Sequence, residues 1–173
     1  MPYAYVGYFD KETELAIINL RIRIMEDADI CDEMGGGYRP HVTFFVSAIL
    51  DSGKESSRFS NEVKNLKKID IALSRFGYFS NNVSVTYLCI EKDKPLMDFY
   101  YLVHLINNRT NERNHLQKIE DAWVPHCTLL NRITNIDYKT LTDKNTPLIK
   151  GKLSSIGIIE FPNDRSVFEE MLS

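Results

Sequence analysis

The feature that most constrains this chain is a six-residue pattern that occurs twice, 85 positions apart. Residues 40–45 read Pro-His-Val-Thr-Phe-Phe, and residues 125–130 read Pro-His-Cys-Thr-Leu-Leu. Chance placement of Pro and Thr around two of the four histidines has a probability of about 10⁻⁵ at this composition. The repeat therefore predicts an internal duplication of one supersecondary unit.

The apolar pattern places each copy in the same context. A strand, a helix and then the strand carrying the repeat are predicted over residues 4–50 and again over residues 83–131. Asp10 is predicted to cap the first helix, residues 11–26. The apolar stripe of that helix is predicted to be Leu15, Ile18, Ile22 and Met25. The other predicted elements are strands over residues 69–78 and 152–161, a hairpin turn at residues 80–82, and helices over residues 56–68, 95–107 and, weakly, 137–144.

The repeat also places chemically useful side chains on one face of each strand. Residues i and i+2 of a strand share a face, so His41 lies beside Thr43, and His126 lies beside Thr128. Displacement at phosphorus needs a base at the attacking oxygen and an acid at the leaving oxygen, and imidazole, with a pKa of about 6.5, serves in either role. Threonine hydroxyls can hold the non-bridging oxygens. If the strands meet, this pattern predicts two catalytic histidines and two phosphate-binding threonines.

Paired His-x-Thr motifs in duplicated β-α-β units resemble the two-histidine (2H) phosphoesterase superfamily, particularly its bacterial 2′-5′ RNA ligase-like and RNA 2′,3′-cyclic phosphodiesterase branch. The resemblance implies an α+β fold of duplicated, bilobal β-α-β units with antiparallel sheets around a central groove. It implies one domain over residues 1–173, with two pseudo-symmetric lobes that each carry one motif. It also implies a phosphodiesterase that hydrolyses 2′,3′-cyclic phosphates at RNA ends, or small cyclic nucleotides, without a metal or other cofactor.

Four further residues beside the motifs are candidate substrate contacts. Tyr38 and Arg39 directly precede the first motif, and Trp123 precedes the second motif and offers a ring for stacking on a nucleobase. Arg132 follows the second motif, where several proteins of the resembling group carry an arginine. In this chain Asn131 separates Arg132 from the apolar pair that ends the motif.

Charge and composition limit the partners. Lys and Arg number 21 against 24 Asp and Glu, and the resulting net charge of −3 argues against a broad basic face for duplex DNA. The sequence shows no signal-peptide pattern and no apolar run of about 18 residues that would span a membrane. The three cysteines show no CxxC spacing and are predicted to be reduced thiols. We therefore expect a cytoplasmic protein, favoured as a monomer, whose partner is an RNA terminus or a small cyclic nucleotide.

Alternatives remain open at this stage. The two histidines are alternatively hydrogen-bonded core residues, or ligands of a zinc ion, although no Cys, HxxE or carboxylate pattern accompanies them. A second enzymatic hypothesis is cleavage or ligation of 2′-5′-linked oligonucleotides. A third hypothesis is a module that binds an RNA end or a nucleotide without turnover. The sequence does not assign the acid and base roles to particular histidines.

Overall fold

A computed structural model describes residues 2–30, 39–47, 54–79, 85–107, 122–131, 148–160 and 165–173. Three helices and seven strands lie within these ranges. The elements in chain order are β1 (Tyr3–Phe9), α1 (Lys11–Ala28), β2 (His41–Ser47), α2 (Lys54–Val63), β3 (Ile69–Phe79), β4 (Val85–Ile90), α3 (Lys94–Asn107), β5 (His126–Asn131), β6 (Ile149–Glu160) and β7 (Arg165–Met171).

The seven strands form one antiparallel sheet. Its hydrogen-bonded order is β2-β1-β6-β3-β4-β5, and β7 also pairs with β6. The first part of β6, from Ile149 to Leu153, pairs with β3, whereas the part from Leu153 to Glu160 pairs with β1. Although β2 and β5 stand at opposite ends of this order, their residues approach within 8 Å between Cα atoms. The sheet therefore curves until the two strands that carry the repeat meet.

Helices α1 and α3 connect the two units across this junction. Helix α1 precedes β2 in the chain but also contacts β5, and α3 precedes β5 but contacts β2. Each unit thus packs its helix against the repeat strand of the other unit. The predicted α+β class with duplicated β-α-β units is confirmed, and the division of residues 1–173 into two pseudo-symmetric lobes stays a prediction.

The start of each of these helices is fixed by an aspartate. The Asp10 carboxylate accepts from the backbone N–H of Thr13 at 2.9 Å, as predicted, and the Asp93 carboxylate accepts from the N–H of Leu96 at 2.9 Å. Pro95 lies in the first turn of α3, where the absence of an N–H costs no helical hydrogen bond. Both units therefore use the same local signal to end the strand and begin the helix.

The predicted apolar stripe of α1 was wrong. Leu15 and Ile22 are exposed, and the helix instead buries Thr13, Ile17, Leu20 and Ile24. Apolar residues occur on both sides of this helix, so two stripes have helical spacing and the periodicity cannot choose between them. Packing decides: Thr13 lies so close to Gly151 of β6 that any Cβ at that position would overlap it.

The remaining elements follow the predictions with three differences. Helix α2 spans Lys54–Val63, so it ends five residues before the predicted end at residue 68. The C-terminal strand β7 was not predicted, and β6 begins three residues before the predicted strand. Strands β3 and β4 pair as an antiparallel hairpin, but the predicted turn at residues 80–82 and the weak helix at residues 137–144 lie outside the described residues. No helix within the described ranges is long and apolar enough to cross a membrane.

Candidate active site

The structure brings the two histidines of the repeat into one site. Strands β2 and β5 lie side by side, and His41 and His126 are the first residues of those strands. Residues of the two strands approach within 8 Å between Cα atoms. Positive charge on His41 also contributes to lowering the pKa of His126. Both rings are only partly buried. This meeting of residues 85 positions apart is the geometry that the sequence pattern required.

The alternation of side chains along both strands also agrees with the prediction. Val42 and Cys127, which follow the histidines, are fully buried in the hydrophobic core. Thr43 and Thr128 return to the face of the histidines and are partly buried. Cys127 is therefore turned away from the site, and the two hydroxyl groups lie on the same face as the imidazoles.

Each repeat strand carries a β-bulge immediately after its threonine. In β2, Thr43 pairs with Val6 and Phe45 pairs with Tyr5, which leaves Phe44 as the extra residue. In β5, the register jumps from Thr128 to Leu130, so that Leu129 is the extra residue. Phe44 and Leu129 are both buried. The two apolar residues that end each repeat are thus explained by a bulge, which bends the strand just beyond the site.

The backbone orients both imidazoles in the same way. His41 Nδ1 lies 2.9 Å from the carbonyl oxygen of Arg39, and His126 Nδ1 lies 2.7 Å from that of Val124. A carbonyl oxygen only accepts, so Nδ1 carries the proton in each ring and Nε2 holds the lone pair when the ring is neutral. In each case the carbonyl belongs to the residue before the proline. The Pro-His segment of the repeat therefore sets the tautomer as well as the position of the ring.

The first repeat is supported by hydrogen bonds to its backbone carbonyls. Trp123 Nε1 donates to the Thr43 carbonyl at 3.2 Å, and the buried His104 on α3 donates from Nε2 to the Phe44 carbonyl at 3.0 Å. The Tyr100 ring lies between these two donors, 4.3 Å from the Trp123 ring and 4.2 Å from the His104 ring, measured between centroids. Trp123 thus stacks on a protein side chain; its predicted stacking on a nucleobase stays a prediction.

The second repeat is supported by aromatic packing. The Phe79 and Tyr87 rings stack with centroids 4.3 Å apart, and their centroids lie 5.1 and 4.9 Å from that of His126. The Tyr87 ring lies over Gly77, where any Cβ would overlap it. Burial lowers the pKa of His126 below its ordinary value; the hydrogen bond to Val124 opposes this shift and His41 adds to it. The surroundings therefore favour the neutral form of His126.

The other predicted contacts have different outcomes. Arg39 is half-buried, and its guanidinium forms ion pairs with Glu14 and Glu169. A contact between Arg39 and substrate stays a prediction. Tyr38 and Arg132 lie outside the described residues.

The sequence analysis did not single out His104, a buried histidine on α3. A signal was present, because this histidine lies on the apolar stripe of α3, and a buried imidazole needs a hydrogen-bond partner. Its partner is a backbone carbonyl 60 residues earlier in the chain, at the bulge of β2. Burial lowers the pKa of His104, whereas the hydrogen bond to Phe44 raises it, and the net shift is downward. The neutral ring is therefore the one that supports the bulge.

A cavity of about 510 Å³ lies elsewhere, between the starts of α1 and α3. Five carboxylates line it beside two lysines: Asp10, Glu12, Asp70, Glu91 and Asp93, with Lys150 and Lys152. Two of these carboxylates are occupied as helix caps. The excess of negative charge disfavours a phosphate, so this cavity is not an alternative site for the predicted chemistry. Within the described ranges, no three His, Cys, Asp or Glu side chains cluster as metal ligands would.

Comparison with known proteins agrees with this arrangement at the level of fold. No family model matches the sequence, and no curated protein matches it. Among solved structures, TT0787 of Thermus thermophilus superposes with a TM-score of 0.65 at 13% identity, covering 99% of this chain and 98% of that one. The apo form of E. coli LigT superposes with a TM-score of 0.61 at 14% identity, covering 99% and 94%. This chain has their fold.

A third neighbour, described as a phosphoesterase, gives a TM-score of 0.62 at 12% identity and covers 99% of this chain and 95% of that one. LigT has also been solved with phosphate, 3′-AMP, ATP and NADP+. At 12–14% identity these comparisons show a shared fold and nothing about individual residues. The evidence for the repeat comes from this sequence alone.

Proposed function

We propose that this protein is a 2H phosphoesterase: a metal-independent phosphodiesterase that hydrolyses 2′,3′-cyclic phosphates at RNA ends or in small cyclic nucleotides. The observation that carries the proposal is the convergence of two His-x-Thr strands on one partly open site. Both rings carry the proton on Nδ1, toward a backbone carbonyl, and in this proposal each ring exchanges protons with substrate through Nε2. The fold shared with LigT and with a structure described as a phosphoesterase supports the same reaction class.

In the reaction we propose, the cyclic phosphate lies between the two imidazoles. Neutral His126 takes a proton from water through Nε2 while the water oxygen bonds to phosphorus. The bond from phosphorus to one ribose oxygen breaks, and protonated His41 gives that oxygen its Nε2 proton. The burial that lowers the pKa of His126 favours it as the base. Proton exchange with solvent then restores both rings.

The threonines supply the remaining interactions in this proposal. Thr43 and Thr128 share the face of the histidines, so their hydroxyls are placed to donate to the non-bridging phosphate oxygens. Donors fixed on strands stabilise developing charge without rearranging during the reaction. The bulges after both threonines shift the pairing register by one residue and bend each strand just beyond its hydroxyl.

The substrate class is supported by ligand chemistry. Complexes of LigT with phosphate and 3′-AMP show a protein of this fold binding a phosphate and a ribonucleotide. The net charge of −3 favours a substrate held by a few local donors over a long polyanion held by a basic surface. We therefore place the reaction at an RNA terminus or on a mononucleotide.

The proposal is tested by incubating the purified protein separately with 2′,3′-cyclic AMP and with 2′-5′-linked oligoadenylate, with and without EDTA. We expect the cyclic nucleotide to be opened to a monophosphate at a rate that EDTA does not change. Cleavage of the oligoadenylate alone would overturn the cyclic substrate in favour of a 2′-5′ phosphodiesterase. Binding of phosphate without turnover of either substrate would indicate a binding module, and strong inhibition by EDTA would contradict metal-independent catalysis.

A further inference from the structure

Arg39 connects the first repeat to three other parts of the fold. Its Nε donates to Glu14 on α1 at 2.6 Å, and its Nη1 donates to both carboxylate oxygens of Glu169 on β7 at 3.0 and 2.9 Å. The guanidinium carbon lies 3.8 Å from the centre of the Tyr8 ring on β1. A single side chain therefore holds α1, β7 and β1 together directly beside the site.

The backbone of the same residue orients His41. The Arg39 carbonyl oxygen lies 2.9 Å from His41 Nδ1. Because Pro40 follows, the backbone of Arg39 is confined to extended conformations, so its carbonyl cannot rotate freely on its own. Motion of this carbonyl therefore requires motion of the residue as a whole, which the three side-chain contacts oppose.

The charges around Arg39 argue for a structural partner and against a substrate partner. Two carboxylates, of Glu14 and Glu169, compensate one guanidinium, which leaves this network with a net negative charge. A phosphate brought to the same guanidinium would meet both carboxylates. Glu169 is itself fixed by the Ser155 hydroxyl, which donates to it at 2.5 Å. The network is thus built to hold Arg39 in place.

We propose that Arg39 is a positioning residue: its ion pairs hold the carbonyl that orients His41. This inference rests on the proposed function, because the orientation of His41 affects turnover only if His41 acts on the substrate. Catalysis depends steeply on geometry, and a displacement of about 1 Å reduces rates by as much as about 10²-fold. Weakening the ion pairs of Arg39 should therefore lower kcat, whereas loss of a substrate contact would first raise KM.

Four variants separate these roles. Arg39→Met removes the anchor, and we expect kcat to fall on the order of 10- to 100-fold while KM stays near the wild-type value. Arg39→Lys retains the charge but cannot reach both carboxylates as a fork does, so an intermediate kcat is expected. Glu169→Gln leaves the Arg39 charge in place and weakens its anchor, and we expect a smaller fall in kcat. Lys94→Met, which breaks an exposed ion pair with Asp98 on α3, is the control and should match wild type.

A substrate-contacting Arg39 gives the opposite pattern. Arg39→Met would then raise KM, and Glu169→Gln would leave kcat unchanged and lower KM by releasing the positive charge. That pattern, or an unchanged kcat in Arg39→Met, overturns the positioning role.

A spectroscopic measurement tests the inference independently of activity. The Nδ1–H proton of His41, held by the Arg39 carbonyl, should give a slowly exchanging signal in ¹⁵N-labelled protein, assigned by its loss in His41→Ala. We expect Arg39→Met to speed its exchange with solvent and Lys94→Met to leave it unchanged. If the protein turns over neither substrate, the proposed function fails while this measurement still decides the orientation of His41; equal exchange rates in wild type and Arg39→Met contradict the inference.

Discussion

The two repeats share one backbone device but differ in how the rest of the protein supports it. In both, a carbonyl before proline orients the imidazole and a bulge follows the threonine. Around the first repeat the support is polar, through the Arg39 ion pairs and the hydrogen bonds from His104 and Trp123. Around the second it is aromatic, through Phe79 and Tyr87.

This difference shows which features the six residues encode. Both copies of the six-residue repeat have the same imidazole tautomer, the same orientation of the threonine hydroxyl and the same bulge. These three features therefore follow from the local sequence. The supports lie on other elements and differ between the two halves. The Tyr8 ring lies 6.3 Å from the His41 ring, whereas the Phe79 and Tyr87 rings lie 5.1 and 4.9 Å from the His126 ring, measured between centroids. A polar support fixes orientation through directional bonds, whereas an aromatic support also removes water and lowers the pKa of the imidazole that it surrounds. The two histidines are thus chemically unequal despite identical local geometry.

The largest expected effect comes from removing either imidazole. We expect His41→Ala and His126→Ala each to lower turnover of the cyclic nucleotide by about 10²–10⁴-fold, the usual contribution of a positioned acid or base. Thermal unfolding should change little, because both side chains are partly exposed and outside the hydrophobic core. Full activity in one variant, or its failure to fold, would contradict the catalytic role of that histidine and show that the two repeats are not equivalent.

A smaller effect is expected from replacing either of two glycines with alanine; each glycine lies beside one repeat. Gly77→Ala forces the Tyr87 ring away from its place against His126, since a Cβ would overlap that ring. In Gly7→Ala the nearest atom is 2.8 Å away, on the Phe44 ring. We expect both to cost about 1–3 kcal/mol of stability.

Activity should distinguish these two variants. Gly77→Ala should also lower kcat and move the acidic limb of the pH–rate profile upward, because His126 becomes more exposed to water and its pKa rises. Gly7→Ala should leave that limb in place. Chemical denaturation and pH–rate profiles measure both quantities, and an unchanged limb in Gly77→Ala would show that Tyr87 does not tune His126.

The smallest effect concerns pH and stability. Burial lowers the pKa of both His104 and His126 in the folded state, while the unfolded chain takes up these protons at about pH 6.5. Just below pH 6.5 the unfolded state therefore binds more protons than the folded state does. The free energy of unfolding has its full value above that pH and decreases as pH falls towards the folded-state pKa values. Each unit of pKa difference corresponds to about 1.4 kcal/mol.

Urea denaturation at about pH 7.5, 6.5 and 5.5 brackets this window and measures the loss. The amide of His104→Gln can donate to the Phe44 carbonyl but does not titrate in this range. This variant should therefore lose less of its free energy of unfolding between about pH 7.5 and 5.5 than wild type does. The same is expected of His126→Gln. An equal loss in wild type and both variants would assign the effect to other groups.

The residues of the site were predictable because two simple rules determine them. Period-two alternation puts His41 beside Thr43 and turns Cys127 into the core, and the duplication indicates that two such strands belong together. The contact between these strands depends on the curvature of the whole sheet, which no local pattern shows. The bulge was also missed, although the second apolar residue after each threonine indicates a break in the alternation.

The supports were less predictable, because they depend on packing between distant residues. The buried face of α1 is chosen by the approach of Thr13 to Gly151, and the role of His104 by a carbonyl on β2. Arg39 had the right position for a substrate contact, but its carboxylate partners come from α1 and β7, and β7 itself was not predicted. Such partners become visible only once the topology is known.

A crystal structure of the protein with bound inorganic phosphate would test directly whether the two repeats form one anion site. We predict one phosphate between the repeats, with its oxygens about 2.6–3.2 Å from Nε2 of both His41 and His126 and from the hydroxyls of Thr43 and Thr128. Phosphate bound at any other place, or imidazoles too far apart to reach the same anion, would contradict this prediction.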